Sequence, residues 1–263
     1  MDRDRNSLRA PIGDFSSTLT INAKVHKLPS HIHSNYLKAL NSAGINAKAC
    51  SVAPLAAAEY LKTNPDVPND YLLVDIGSDM TTVSLIGGQK LWSSCFFEWG
   101  GHNITDAIVR NFGISHSEAE KIKIIYGIDE RNMEFRTSIF KKENEDSSSI
   151  EVFSDDLNSV IKSELDRFLK QLDSALSELL KDQDQSLRSL PIILVGGGSN
   201  LNGLVNYILP KISSESAKVV NPKTLGVRDA TFLNCLGMIM ANHKYPNVFD
   251  ENNPKLPKLT REK

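Results

Sequence analysis

The stretch from residue 71 to residue 82, YLLVDIGSDMTT, decides the fold class of this 263-residue chain. Residues 71–76 are almost continuously apolar, which is the pattern of a strand that is buried on both faces. The strand runs directly into a turn that begins at Gly77 and is followed by two threonines. Because ligands of open α/β sheets bind in loops at the carboxyl ends of strands, this turn is the first candidate binding loop.

The segments that follow predict a layered domain. Residues 81–86 and 90–97 have the pattern of two more strands, joined by a hairpin turn at Gly87-Gly88. Apolar residues recur every three or four positions from 154 to 181, which predicts a long amphipathic helix. Residues 191–195 form a short apolar run that ends in three glycines. Strands interleaved with helices in this order indicate an α/β fold.

Two helix starts and one loop are predicted between these segments. Ser115 and Glu118 match a capping box, in which each side chain accepts from the other residue's backbone amide. Asn103 or Thr105 is expected to cap the preceding helix. Residues 141–149, KKENEDSSS, are polar and are predicted to form an exposed loop.

Both ends of the chain differ in composition from this domain. Strands are predicted at 18–27 and 45–52, on either side of a helix that Gly44 closes. The segment 63–69 is rich in Pro, Asn and Asp and is the expected domain boundary. The residues from Pro246 onward are rich in Pro, Asn and Lys, which predicts a disordered tail.

The overall composition is that of an ordinary globular protein, with 40% hydrophobic and 24% charged residues. The formal net charge of −2 gives no basic excess for binding nucleic acid. Three widely spaced cysteines without a CxxC pair disfavour a disulfide framework or zinc site and favour a reducing compartment. The sequence contains neither a GxxxxGK[ST] phosphate loop nor a GxSxG nucleophile elbow, and no apolar run approaches the length of a membrane span.

Two glycine turns carry the candidate chemistry. In the first, the Asp75 carboxylate lies among amides and hydroxyls that suit phosphate oxygens, and it could hold a metal-bound water. In the second, the glycines of 193–203 (ILVGGGSNLNG) leave room for a ring or phosphate against the main chain. Either turn alone is equally well explained by steric relief. Glu120 and Lys123 share one helix face, which is also the common pattern of a solvated ion pair.

The order of these motifs resembles the FtsA family of bacterial actin-like cell-division proteins. The family pattern runs DIGGGTT, a hairpin, GG-x-x-[IL]-T and AE-x-[IL]-K-x-x-[YH]-G, and residues 75–127 follow it in that order. The stretches 194–204 and 229–241 resemble the family's adenosine motif and closing helix. Upstream, 11–26 and 53–61 resemble the end of its inserted 1C subdomain and the return to its first domain.

This resemblance implies an α/β actin-like ATPase fold of the ribonuclease H-like kind, preceded by part of an SHS2-type 1C subdomain. The implied division is a partial 1C subdomain (1–50), a return segment and linker (51–69), a second actin-like domain (70–245) and a disordered tail (246–263). Within the second domain, residues from about 115 to 189 would form a helical 2B insertion on a 2A core.

The resemblance also implies an ATP site with Mg²⁺. Asp75 would face the phosphates and hold the metal through water, while Glu120 and Lys123 would embrace the ribose and base. The residues expected to contact the nucleotide are Asp75, Gly77, Ser78, Thr81, Thr82, Gly101, Glu120, Lys123, Gly196, Gly197, Gly198 and Asn200. No catalytic residue is expected, and ATP hydrolysis is expected to be very weak or absent.

The chain also departs from the family pattern. Asp79 places a negative charge where phosphates would approach. The family's first phosphate hairpin is missing from the sequence, which is expected of a partial sequence or a degenerate relative. Residues 253–263, NPKLPKLTREK, lack the apolar face of the family's membrane-binding helix, so membrane contact is expected to be indirect.

The function implied by the resemblance is cell division. The expected partners are further copies of the chain in actin-like filaments, the FtsZ C-terminal peptide and later division proteins, with no nucleic acid. The expected location is the cytoplasm, at the division site on the inner face of the cell membrane. Two alternatives stay open, a PilM-like platform protein of type IV pilus assembly and a fragment of a sugar or acetate kinase.

Overall fold

The computed structural model describes residues 30–47, 50–128, 136–143 and 149–244. The helices are α1 (Ser30–Ser42), α2 (Ala53–Leu61), α3 (Gly101–Phe112), α4 (His116–Tyr126), α5 (Ser154–Leu179), α6 (Leu204–Ile208) and α7 (Leu233–Lys244). The strands are β1 (Tyr71–Ile76), β2 (Thr81–Gly87), β3 (Lys90–Phe97), β4 (Ser138–Glu143), β5 (Ser149–Phe153), β6 (Ile192–Val195) and β7 (Ala217–Val219).

Five of these strands form one mixed sheet in the order β3-β2-β1-β6-β7. The β1 to β3 segment is an antiparallel meander, whereas β6 and β7 run parallel to β1. In this register Asp75 lies between Thr82 of β2 and Val195 of β6. The carboxyl ends of β1 and β6 therefore meet at the same edge of the sheet, and the two glycine turns leave from neighbouring positions.

Alternate residues of β1 face two separate apolar layers. Leu72, Val74 and Ile76 pack in the larger cluster, which includes residues of α3, α4 and α5. Tyr71 and Leu73 pack in the smaller cluster, with residues of α2 and α7. Because both faces of β1 are covered by helices, its side chains are almost all buried, as the continuous apolar run predicts.

The long helix α5 anchors the larger layer. Its apolar positions recur at helical spacing, and Phe168 is fully buried at its centre. The ring of Phe168 lies 4.7 Å from the Trp99 ring and 6.0 Å from the Phe97 ring, measured between centroids. These contacts hold α5 against the end of β3, next to the point where α3 begins.

Most of the predicted elements are confirmed, and three predictions are wrong. Residues 45–47 and 50–52 form no strand. The ends of the predicted loop 141–149 belong instead to the antiparallel hairpin of β4 and β5, so the described part of 115–189 contains strands as well as helices. Helix α3 is capped by Gly100, whose amide donates to Asn103 Oδ1 at 2.8 Å, and neither Asn103 nor Thr105 is the N-cap.

Some expectations fall outside the described residues, namely the strand at 18–27 and the tail from 246 to 263. Among the helices that the structure describes, none is long and apolar enough to cross a membrane. The same residues contain no group of three or more His, Cys, Asp or Glu side chains placed to hold a metal ion.

The capping box at the start of α4 is confirmed and gives a first testable prediction. The Ser115 hydroxyl accepts from the Glu118 amide at 3.3 Å, and Glu118 Oε2 accepts from the Ser115 amide at 2.9 Å. We expect Ser115→Ala to lower the free energy of unfolding by about 1 kcal/mol, because it leaves an amide of the first turn unpaired. Urea denaturation measures this loss. The matched control is Ser117→Ala on the same turn, and equal losses for both variants would contradict the capping role.

Candidate nucleotide-binding site

The β1–β2 turn is fixed by the start of α3. The turn closes on itself through the Gly77 amide, which donates to the Met80 carbonyl at 2.9 Å. The Gly101 amide donates to the Gly77 carbonyl at 2.9 Å, and the His102 amide donates to the Ser78 carbonyl at 2.8 Å. A Cβ at position 100 would lie 2.5 Å from the Ser78 carbonyl group, so only glycine fits there.

These bonds leave the tip of the turn free to bind. Within the described residues, the amides of Ser78, Asp79 and Met80 donate to no acceptor. All three residues are exposed. Consecutive unpaired amides in a tight turn form a concave donor surface that suits an anion. The side chain of Thr81, by contrast, is fully buried and donates to the Trp99 carbonyl at 2.8 Å, so it supports the turn from within.

Asp79 lies at this tip with its carboxylate bound by two neighbours. His102 Nδ1 is 2.8 Å from Asp79 Oδ1, and the Ser78 hydroxyl donates to Asp79 Oδ2 at 2.7 Å. The hydrogen bonds from His102 and Ser78 lower the pKa of the Asp79 carboxyl. The charge that departs from the family pattern is therefore held next to an imidazole, which the sequence alone did not indicate.

Asp75 faces the second turn. A Cβ at Gly196 would lie 2.3 Å from Asp75 Oδ1, and the φ of 83° at this glycine is unfavourable for other residues. Asn234 of α7 donates to Asp75 Oδ2 at 2.9 Å. Burial raises the pKa of the Asp75 carboxyl, and the hydrogen bond from Asn234 offsets only part of this effect. The Asn234 Oδ1 atom is buried without a hydrogen-bond partner in the described part of the chain.

The second turn is packed tightly onto the end of β1. A Cβ at Gly198 would lie 2.4 Å from Ile76 Cγ2, and the Ser199 hydroxyl donates to the Gly196 carbonyl at 2.7 Å. Asn200 is exposed and donates to Asp229 Oδ1 at 3.2 Å, which connects this turn to the segment before α7. The glycines thus let the backbone of one turn lie directly against the other strand end.

Glu120 and Lys123 form a network with the start of α3, not a solvated pair. The Lys123 ammonium is largely buried and donates to Glu120 Oε2 at 2.8 Å, to Thr105 Oγ1 at 2.9 Å and to the Gly101 carbonyl at 3.1 Å. Partial burial opposes the charged form of Glu120, but the hydrogen bonds from Lys123 and Thr105 outweigh it and lower the pKa of that carboxyl. Glu120 is therefore held ionised, with its carboxylate oriented by two donors.

The predicted site residues fall into two connected groups. One contains Gly77, Ser78, Gly101, Glu120 and Lys123, joined by the hydrogen bonds of the first turn, α3 and α4. The other contains Asp75, Gly196, Gly197, Gly198 and Asn200 around the second turn. Thr82 lies in β2 opposite Asp75 in the sheet register.

The two groups meet at the end of β1 and again where α4 ends. There the Ile128 amide donates to the Asn202 carbonyl at 2.9 Å, and a Cβ at Gly127 would lie 2.6 Å from that oxygen.

Sequence reasoning missed two contributors to this arrangement, His102 and Asn234. It matched Thr105 to the second motif without naming it as a site residue, although Thr105 donates to Glu120 Oε2 and accepts from Lys123. His102 lies inside the same motif, which was the available signal. Asn234 had no local signal, because its partner Asp75 is 159 residues away along the chain.

Solved structures with a similar fold define the class of protein. The PilM–PilN type IV pilus biogenesis complex matches with a TM-score of 0.61 at 22% identity, over 81% of this chain and 58% of that one. MreB5 of Spiroplasma citri bound to ADP matches with a TM-score of 0.61 at 17% identity, over 85% of this chain and 68% of that one. The chain therefore has the actin-like ATPase fold that the sequence resemblance implied.

Sequence comparison gives the family. The model of the cell division protein FtsA family matches residues 72–237. The cell division protein FtsA of Buchnera aphidicola subsp. Baizongia pistaciae is 29% identical over 242 residues, which is 88% of this chain and 56% of that protein. The chain belongs to the FtsA family, and the resemblance inferred from the motifs is confirmed. It spans about half the length of the curated relatives it matches.

Proposed function

We propose that this chain acts in bacterial cell division as an FtsA-type actin homologue. In this role it binds ATP between its glycine turns, assembles with further copies of itself into filaments and holds the FtsZ ring at the inner face of the cell membrane. It also recruits later division proteins. The family match over residues 72–237 supports the division role over the PilM-like alternative, to which the likeness is one of fold.

The observation that carries nucleotide binding is the meeting of the two turns at one sheet edge. The first turn offers three unpaired amides to phosphate oxygens. The glycines of the second turn let its backbone lie against Asp75 and Ile76 at the end of β1, and the exposed backbone at Gly197 is proposed to contact the rest of the ligand. Glu120, oriented by Lys123, supplies a charged acceptor for ribose hydroxyls. Together these provide an anion donor surface, a sugar acceptor and a flat glycine surface, which is the set that a nucleotide requires.

The residues around Asp75 also fit a hydrated Mg²⁺ ion. The Asp75 carboxylate can accept from a metal-bound water, and the orphaned Asn234 Oδ1 supplies a second acceptor. When bound, the ion would offset the charge of the phosphates next to Asp75 and Asp79. ATP hydrolysis is proposed to be very weak, with binding and assembly as the main roles.

The domain assignment implied by the resemblance is part of the same proposal. The sheet with α3 and α7 forms the 2A core, α2 belongs to the return segment of the first actin-like domain, and the described elements between 115 and 189 form the 2B insertion. Helix α1 belongs to the 1C subdomain. The lack of buried residues in α1 supports its separate assignment.

Lys123 gives a direct test of the sugar-binding network. We expect Lys123→Met to weaken binding of a fluorescent ADP analogue by about tenfold or more, because Glu120 loses the charged donor that orients it. The matched control is Lys121→Met, which removes an exposed lysine from the same helix. Fluorescence anisotropy measures both affinities. An equal, small change in the two variants would show that Glu120 and Lys123 do not belong to the nucleotide site.

Asp75 gives a test that separates stability from binding. Because its pKa is raised in the folded chain, stability falls as the pH rises from the ordinary aspartate range through the folded-state value. Asp75→Asn removes that effect and can donate to the orphaned Asn234 Oδ1. We expect it to raise the free energy of unfolding by about 1 kcal/mol at neutral pH, with a smaller gain in acid.

The same substitution is expected to reduce the stabilisation that Mg·ADP gives in thermal unfolding, because the amide is a poorer acceptor for metal-bound water. Asp70→Asn, at an exposed residue directly before β1, is the control. If Asp75→Asn destabilises the apo chain and leaves the Mg·ADP shift intact, Asp75 is a structural residue and not a metal-facing one.

The division role is tested with the FtsZ C-terminal peptide. We expect saturable binding of the labelled peptide in anisotropy, with no binding of a scrambled peptide of the same composition. A scrambled peptide that binds equally well, or no binding of either, would count against FtsZ as a partner. In that case, binding of PilN would favour the pilus alternative.

A further inference from the structure

Four titratable side chains form a continuous row on the surface beside the first turn. Asp79 contacts His102, whose ring lies 5.6 Å from the His116 ring between centroids. His116 Nε2 lies 3.7 Å from Asp106 Oδ1. The row joins the turn to α3 and α4, and every member is about half or more exposed. All four side chains are therefore accessible to solvent.

The row ends where a phosphate group would arrive. The first two amides of α3 are already used by the Gly77 and Ser78 carbonyls, so the start of this helix offers no donors of its own. The donors that remain are the amides of residues 78 to 80, and the carboxylate of Asp79 lies among them. A phosphate bound by these amides must approach the Asp79 carboxylate, and the imidazole of His102 is in direct contact with that carboxylate.

We propose that the charge of His102 sets the affinity of the 77–80 turn for phosphate groups, so that polyphosphate binding weakens as His102 loses its proton. The ligand is the diphosphate or triphosphate of the nucleotide, and the inference thus rests on the proposed nucleotide site. Protonated His102 donates to Asp79 and cancels its charge, whereas neutral His102 leaves the carboxylate free to repel the ligand. The row is a pH-responsive control of nucleotide loading.

Charged groups from three elements face His102. Asp79 approaches from the turn, Asp106 lies one helical turn along α3, and α4 contributes His116, Glu120 and Lys123. Three of these groups are carboxylates, and Lys123 is already engaged by Glu120 and two other acceptors. Histidine is the side chain that ordinarily changes charge between about pH 5 and 8, so titrations on the two sides of neutrality test the control.

The test is a set of binding titrations at about pH 6 and about pH 8, with EDTA present so that no divalent cation bridges Asp79 to the ligand. The probes are a fluorescent ADP analogue and, by competition or calorimetry, inorganic pyrophosphate. The variants are His102→Gln and Asp79→Asn, with His116→Gln as the matched control because it removes the neighbouring imidazole without touching the turn. The phosphate groups of the probe also change charge between the two pH values. This change is the same for all four proteins and cancels when their affinities are compared.

Between the lower and the higher pH, we expect the affinity of the unmodified chain for the probes to fall roughly fivefold more than that of His102→Gln. Asp79→Asn should bind more tightly than the unmodified chain at the higher pH and approach it at the lower pH. His116→Gln should keep most of the pH dependence. If His102→Gln and the unmodified chain show the same pH dependence, or if His116→Gln alone abolishes it, the proposal is wrong.

The probes distinguish this proposal from the proposed function. ADP binding that is equally strong at both pH values contradicts the proposed effect of His102 and is still consistent with the nucleotide site. Binding of pyrophosphate with the expected pH dependence, without binding of ADP, supports the control and contradicts the nucleotide site. If neither probe binds at either pH, both proposals are wrong.

Discussion

Gly237→Ala is expected to destabilise the chain by about 3 kcal/mol or more. Helix α7 crosses α2 so closely that a Cβ at position 237 would lie 1.7 Å from the Ala56 carbonyl oxygen. The neighbouring atoms are backbone, so no side-chain rotation can relieve the overlap and the two helices must separate. Separation exposes the smaller apolar layer, in which Leu61 of α2 and Leu233 of α7 are almost fully buried.

The same crossing positions the site, since α7 carries Asn234 to Asp75. Urea denaturation measures the loss, and Met238→Ala is the matched control because this exposed side chain is the next residue of the same helix. We expect the control to change the free energy of unfolding by no more than about 0.5 kcal/mol. A loss below about 1 kcal/mol for Gly237→Ala would show that the helices do not cross at this distance.

Phe168→Ala is expected to cost about 3–5 kcal/mol, the range for removing a fully buried aromatic side chain. The ring is 0% exposed, and its removal takes away the contacts with both Trp99 and Phe97. The cavity would open under Trp99, whose carbonyl accepts from Thr81 at the base of the first turn. We therefore also expect weaker nucleotide binding, because the turn loses part of its support.

Phe96→Ala is the control for this effect, as it removes the same side chain from a neighbouring strand position that is 66% exposed. Thermal and urea unfolding compare the two variants. Equal losses would contradict the placement of α5 on the larger face of the sheet, since the two phenylalanines would then be in similar surroundings.

Local pattern was sufficient to predict the centre of the fold. The apolar run of β1 and the three- and four-residue spacing of α5 both follow from burial by an adjacent layer. Buried positions are occupied by apolar residues, so the pattern is visible in the sequence. The β4–β5 hairpin was missed because prediction from residue type depends on burial, and the end of β4 is not buried. Lys141, Lys142 and Glu143 are exposed strand residues, and without an apolar partner face the sequence reads as a loop.

The site was predictable where one motif contains both partners. Glu120 and Lys123 are one helical turn apart, and Ser115 and Glu118 cap the same helix, so spacing alone places them together. The pairs Asp75 with Asn234 and Asp79 with His102 were not predictable, because they depend on how α7 and α3 pack against the sheet. The N-cap of α3 was predicted wrongly for a local reason, because Gly100 occupies the cap and Asn103 instead accepts from the Gly100 amide three residues before it.

The central claim is that the two glycine turns form one nucleotide site, and chemical-shift mapping tests it most directly. We would titrate Mg·ATP into the 15N-labelled chain and follow the backbone amides, a measurement that also detects weak binding. The largest shifts are expected at residues 77–80, at Gly101 and at 196–200, with saturation along a single curve. Shifts confined to other surfaces, or separate curves for the two turns, would contradict the account.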